Sequence, residues 1–155
     1  MSKLNVQENK KLKLKNVIVK ELTGIAMEEL DKEINTCINK VQRLNVQTFG
    51  PLITCNKGLK IGEDGSMTVD YEVMIQAHDY LQYKNSFKVL DEVVVEHCVY
   101  LRFEDQPEYI NFAYSKMDLY FYENDIDELG PVYTIMLHES ENFIKMDLFK
   151  PVKLL

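Results

Sequence analysis

Acidic and aromatic residues on strand-like segments are the side chains of this sequence best suited to chemistry. They are Glu72, Glu96, Tyr100 and Tyr133, and we add Thr134, the polar neighbour of Tyr133. A carboxylate removed from water attracts a cation, and a tyrosine ring offers its face to the same charge. We therefore take these five residues as candidates for a ligand-binding site. The alternative is that the glutamates line a solvated sheet face and that the tyrosines pair across strands.

Patterns typical of catalysis or metal binding are missing from the sequence. Asp70 and Glu72 would lie about 7 Å apart on one strand face, but any strand provides this spacing. No His or Cys pair has the spacing of a zinc site, and no serine nucleophile stands in a strained turn. His97, between Val95 and Val99, is predicted to be a core histidine. We expect no metal and no cofactor. We also expect no enzymatic activity, with a hydrolase as the alternative that the acidic residues leave open.

Composition and charge narrow the class of protein. The 155 residues include 18 Lys+Arg and 25 Asp+Glu, a formal net charge of −7, and 46% are hydrophobic. This suits one compact domain with a core. The acidic balance disfavours direct nucleic-acid binding, because phosphate contacts depend on clustered Lys and Arg. Every apolar run is far shorter than the roughly 20 residues that a membrane helix needs.

Cysteine usage and the N-terminal stretch predict the compartment. Cys37, Cys55 and Cys98 are odd in number and widely separated, which fits three reduced, buried thiols rather than a disulfide framework. The Lys-rich N-terminal stretch lacks the apolar region of a signal peptide. We expect a cytoplasmic protein.

Hydrophobic periodicity predicts a strand, a helix and two strands in the first half of the chain. Residues 14–22 form an apolar strand, and residues 26–44 carry apolar side chains at steps of three and four, as on one face of a helix. A Gly-Pro pair follows the helix. Residues 52–56 and 67–77 are then predicted strands joined by a glycine-rich loop.

The second half repeats this order. Residues 92–103 form a strand, and Asp105 to Glu108, with a proline between them, predict a helix start with a capping box. The helix should close at Asn124 or Asp125. After a second Gly-Pro pair, residues 132–137 and 143–150 are predicted strands.

A tandem duplication follows from these two halves. Residues 13–77 and 92–153 each form a strand-helix-strand-strand unit, with a polar leader at 1–12 and a connector at 78–91. One such unit cannot cover its sheet alone, so the two should pair about a pseudo-twofold axis and leave a central cleft. The predicted fold is a single α+β domain with antiparallel sheets and two long helices.

Several short motifs accompany this layout. They are Gly50-Pro51-Leu52-Ile53-Thr54, Val69-Asp70-Tyr71-Glu72-Val73-Met74-Ile75, Pro107-Glu108-Tyr109, Gly130-Pro131-Val132-Tyr133 and Leu148-Phe149-Lys150-Pro151-Val152. Over residues 13–153 the chain resembles the GyrI-like, or bacterial transcription-activator effector-binding, superfamily, and stand-alone members from Gram-positive bacteria in particular. The resemblance implies tandem units whose cleft binds cationic, aromatic or amphipathic small molecules.

The chain also departs from the pattern of that superfamily. Thr134 stands where a pocket glutamate is common, and Met136 stands where an aromatic residue is frequent. No helix-turn-helix pattern precedes residue 14, so we expect a module without its own DNA-binding region. Two functions remain open: binding or sensing of an amphipathic or cationic small molecule, or docking of a partner protein, as an accessory regulatory factor, through the acidic surface.

Overall fold

The computed structural model describes residues 4–153. They divide into two compact units, one of Leu14–Val93 and one that combines the described parts of Met1–Lys13 and Val94–Leu155. Both units are built from antiparallel strands and one long helix, so the predicted α+β class is confirmed. Neither helix of residues 4–153 has the length and apolar character needed to cross a membrane.

The unit Leu14–Val93 is a three-stranded sheet with a helix packed on one face. Its elements are β1 (Val6–Ala26, from residue 14 onward), α1 (Leu30–Arg43), β2 (Thr48–Ile61) and β3 (Met67–Ala77). The strand β3 pairs with both others, which gives the order β1-β3-β2. Cys37 and Val41 of α1 pack against Ile18 and Val73, because the apolar stripe of the helix faces the apolar alternation of the strands.

The second unit has the same plan. Its elements are β4 (Lys88–Asp105, from residue 94 onward), α2 (Ile110–Glu123), β5 (Val132–Glu139) and β6 (Ile144–Pro151). The strand β6 pairs with both others, so the order is β4-β6-β5. Ala113 and Met117 of α2 pack against Leu101 and Phe103. The predicted duplication of a strand-helix-strand-strand unit is therefore confirmed.

The duplication extends to unusual backbone conformations. Positive φ angles occur in the first strand of each repeat, just after each helix and at each Gly-Pro pair: Asn16 (55°) and His97 (57°), Asn45 (55°) and Asp125 (53°), Gly50 (71°) and Gly130 (111°). Residues other than glycine adopt such angles rarely. Their recurrence in the same order shows that the two repeats share local backbone geometry as well as strand order.

The first strand begins earlier than the sequence predicts. The sequence pattern predicts a start at residue 14, whereas β1 begins at Val6 and takes in much of the predicted polar leader. Residues 1–3 of that leader lie outside the described residues. Leu12 and Leu14 are each only 4% exposed. They alternate with lysines that point the other way, and this alternation is a strand pattern hidden by the high charge of the stretch.

The start of α2 also differs from the prediction. A 3₁₀ turn, Pro107–Tyr109, precedes the helix, and no side chain caps either element. The Asp105 carboxylate accepts a hydrogen bond from the neighbouring Gln106 N–H at 2.8 Å. The predicted capping box is wrong, because the N-cap position falls on Gln106 and leaves Asp105 one residue outside the turn. The predicted end is confirmed, since Asn124 Nδ2 donates to Tyr120 O at 2.9 Å.

Candidate functional site

The sheet β4-β6-β5 has one face on α2 and an opposite face, which we call the distal face. Leu101 and Leu148 pack on the α2 side. Their chain neighbours Tyr100 and Phe149 therefore point to the distal face, because successive strand residues alternate. Phe149 lies opposite Tyr100 on β4 and opposite Tyr133 on β5. These three residues form the aromatic row, in which the Tyr100 and Phe149 ring centroids are 5.0 Å apart.

An ion pair between a buried aspartate and an exposed arginine lies beside the aromatic row. Asp147, which is 7% exposed, faces Arg102 on β4 and Ile135 on β5. Arg102 Nε donates to Asp147 Oδ1 at 2.7 Å, and Nη2 donates to Oδ2 at 3.0 Å. The Tyr100 hydroxyl donates to Oδ1 at 2.8 Å. Both carboxylate oxygens are thus bonded, and the arginine contact is bidentate.

Burial and these bonds set the protonation of the site. Burial, together with the hydrogen bond to Asp147, raises the pKa of Tyr100 to about 12. The hydrogen bond to Asp147 also raises the pKa of the Arg102 guanidinium. Tyr100 is therefore neutral and Arg102 positively charged at physiological pH, so Arg102 and an ionised Asp147 together carry no net charge.

The unit Leu14–Val93 holds a buried acid at the corresponding place. Glu72, 8% exposed, lies on the distal face of its own sheet, between Glu21 on β1 and Cys55 on β2. Lys57 Nζ is 3.1 Å from Glu72 Oε1. The hydrogen bond to Glu72 raises the pKa of Lys57. Both repeats therefore place a carboxylate at the centre of the distal face and pair it with a base.

The rows next to the two acids differ. At the positions that correspond to the aromatic row, the unit Leu14–Val93 carries three aliphatic residues. They are Val19, Met74 and Ile53, which lie opposite one another on β1, β3 and β2. These aliphatic side chains are 1%, 4% and 0% exposed, respectively. Tyr100 and Tyr133 are only half-buried. The row beside the buried acid is therefore aromatic in one repeat and aliphatic in the other.

The structure brings together only some of the predicted site residues. Tyr100 and Tyr133 share the aromatic row. Thr134 lies opposite Leu148 and so on the α2 side of the sheet, because it is the chain neighbour of Tyr133. Glu96 is exposed on β4, and Glu72 belongs to the sheet of the other unit.

Sequence reasoning missed the ion pair between Asp147 and Arg102, and it missed Phe149. The last strand was recognised by its alternating apolar residues, and Asp147 is the acid between two of them. An acid flanked by buried residues on a strand was the available signal. Its partner Arg102 is 45 positions away, and only strand register joins the two.

His97 does not lie in the core. It is half-buried, and its Nδ1 is 3.2 Å from the Asn9 side-chain oxygen. The positive φ at His97 interrupts the strand alternation on which the prediction relied, and both Cys98 and Val99 after it are buried. The imidazole therefore lines a surface depression of about 330 Å³ together with Ile126 and Lys153.

Neither the cysteines nor the acids form a metal site. The three cysteines are buried thiols, as predicted, and burial raises the pKa of Cys98 to about 11. Within residues 4–153, no group of His, Cys, Asp and Glu could hold a metal ion.

Several solved structures share this fold. SAV2435 bound to tetraphenylphosphonium is 11% identical, with a TM-score of 0.56 over 98% of this chain and 94% of that chain. The EcmrR C-terminal domain is 11% identical, with a TM-score of 0.63 over 99% and 98% of the two chains. A hydrolase encoded by lin2189 from Listeria innocua is 11% identical, with a TM-score of 0.50 over 97% of this chain and 92% of that chain. The predicted GyrI-like resemblance is confirmed at the level of the fold.

Sequence comparison identifies the family. No curated protein has a significantly similar sequence. One family model, described as "Domain of unknown function (DUF5085)", matches residues 13–149, which is most of the chain. This protein therefore belongs to the DUF5085 family and has the GyrI-like fold.

Proposed function

We propose that this protein is a binding module for an amphipathic or cationic small molecule and that the aromatic row contacts the ligand. The observation that carries the proposal is that Tyr100, Phe149 and Tyr133 lie opposite one another on the distal face of adjacent strands. SAV2435, which has the same fold, is bound to tetraphenylphosphonium in its structure.

The geometry of the row suits an aromatic ligand. Phe149 is 8% exposed and supports two half-buried tyrosines, so the rings present apolar surface with hydroxyl groups at their ends. The bond from the Tyr100 hydroxyl to Asp147 holds that ring in one orientation. A fixed ring loses little conformational entropy when a ligand stacks on it. Glu72, Glu96 and Thr134 stay candidate contacts from sequence alone.

A thermal-shift screen of hydrophobic cations and neutral aromatic amphiphiles tests the proposal. A ligand at 100 times its Kd stabilises the folded state by about 2.7 kcal/mol, a Tm rise of roughly 5–10 °C for a chain of this length. Calorimetric titration of the best compound then gives its Kd.

Two tyrosine variants give the matched comparison. Tyr133→Leu should weaken binding about tenfold, because the ligand loses a ring contact. Tyr122→Leu removes a tyrosine that is 85% exposed on α2 and should leave Kd unchanged. The proposal fails if no compound in the screen raises Tm, or if the two variants bind alike.

Three further predictions about function concern a partner protein, the location of the protein and enzymatic activity. Docking of a partner through the acidic surface is supported by the net charge of −7 and predicts a stoichiometric partner that salt releases from the immobilised protein. The cytoplasmic location and the lack of enzymatic activity also stay predictions.

A further inference from the structure

We propose that the aromatic row selects an uncharged aromatic amphiphile over an organic cation, because Arg102 already neutralises the carboxylate that a cation would need. This inference rests on the proposed function and narrows its ligand class.

The first support is the bonding of Asp147. Its Oδ1 accepts hydrogen bonds from Tyr100 and from Arg102 Nε, and its Oδ2 accepts one from Arg102 Nη2. A cation that approached this carboxylate would also approach the guanidinium, whose repulsion offsets the attraction. To form its own ion pair, the ligand would have to displace a bidentate arginine.

The second support comes from the other repeat and is independent of Asp147. Among residues 4–153, the buried carboxylates are Glu72 and Asp147. Glu72 is paired with Lys57, and Glu21 across the strand from it is paired with Lys88 at 3.2 Å. Two different bases thus neutralise the acids at the same place in two repeats. In the described part of the chain, each buried carboxylate of the distal faces is therefore paired with a base. The surface beside these ion pairs is aromatic in one repeat and aliphatic in the other.

The remaining attraction for a cation is the cation–π interaction with the ring faces of the aromatic row. The Tyr100 ring is held by its hydroxyl bond to Asp147, and the adjacent Arg102 places a positive charge on the same face. That charge opposes a cation over the ring. An uncharged molecule gains the apolar contact without this repulsion and without the cost of removing a charge from water.

A matched pair of probes tests the inference on the unmodified protein. Methyltriphenylphosphonium and triphenylphosphine oxide carry the same three phenyl rings and differ in charge. Calorimetric titration should show that the oxide binds at least as tightly as the phosphonium. Tighter binding of the phosphonium overturns the inference and leaves the proposed function standing. Binding of neither probe, together with a negative thermal-shift screen, overturns the proposed function and the inference with it.

Two variants assign the selectivity to Arg102. Arg102→Gln exposes the charge of Asp147 to the ligand, and the affinity ratio of phosphonium to oxide should rise about tenfold. The double variant, Arg102→Gln with Asp147→Asn, removes that charge and should return the ratio to the wild-type value. An unchanged ratio in a folded Arg102→Gln variant overturns the role of Arg102. Should that variant fail to fold, the wild-type ratio of the two probes still decides the inference.

Discussion

The ion pair between Arg102 and Asp147 should respond unequally to removal of its two members. Arg102→Gln leaves a carboxylate whose side chain is 10% exposed, with Tyr100 as its remaining donor. Asp147→Asn leaves a guanidinium that is 43% exposed and can be hydrated. Breaking a buried pair costs about 3–5 kcal/mol when the remaining charge is uncompensated. Because Tyr100 still bonds Asp147, we expect about 2–3 kcal/mol for Arg102→Gln and about 1 kcal/mol for Asp147→Asn.

Urea denaturation at pH 7 measures both free energies of unfolding, and the double variant completes a mutant cycle. The coupling energy should be about 1–2 kcal/mol, since the two groups share two hydrogen bonds. Equal costs for the two single variants, or a greater cost for Asp147→Asn, would refute the assignment of a desolvated carboxylate.

The remaining predictions concern titration, backbone strain and thiol reactivity. The raised pKa of Tyr100, about 12 against an ordinary 10.0, implies stability that is present below pH 10 and lost as pH rises towards 12. Tyr100→Phe should reduce this dependence in denaturant titrations, and the part that persists comes from other tyrosines with a raised pKa, such as Tyr80, Tyr83 and Tyr120. Asp125 and Asn45 both have a positive φ, which glycine adopts without strain. Asp125→Gly should therefore stabilise the protein by about 0.5–1 kcal/mol, and Asn45→Gly by less, because asparagine tolerates positive φ better than most residues. Thermal melts of the two variants measure this difference. The three buried cysteines should react with a thiol reagent only upon unfolding, and rapid labelling of the native protein would contradict their burial.

Elements with strong local periodicity could be predicted from the sequence. The stripe of α1 alternates with a charged face, and both Cys37 and Val41 on that stripe are buried as expected. The order of strands and helices followed from such patterns together with the two Gly-Pro pairs. The ends of strands were harder to predict. Leu12, for example, is a buried residue between two lysines, and the high charge of that stretch hides the strand pattern.

The candidate site could be predicted only in part, because strand register joins distant residues. Tyr100 and Tyr133 are 33 positions apart in numbering and come together because each pairs with Phe149. The choice of Thr134 as a neighbour of Tyr133 followed the motif and ignored alternation, which puts consecutive strand residues on opposite faces. The bidentate arginine on Asp147 depends on the same register and was invisible to local patterns.

The strand β1 contributes to both units, and this has a consequence for synthesis. The Tyr120 hydroxyl donates to Glu8 at 2.6 Å across a sequence separation of 112 positions, and His97 contacts Asn9 across 88. Residues 4–13 leave the ribosome before residues 14–93, yet the unit they complete needs residues up to 153. Residues 14–93 are synthesised as one continuous stretch, whereas the unit that carries the aromatic row is incomplete until its final strand has been made. The contacts that Glu8 and Asn9 make with Tyr120 and His97 can therefore form only after much of the second repeat has been synthesised.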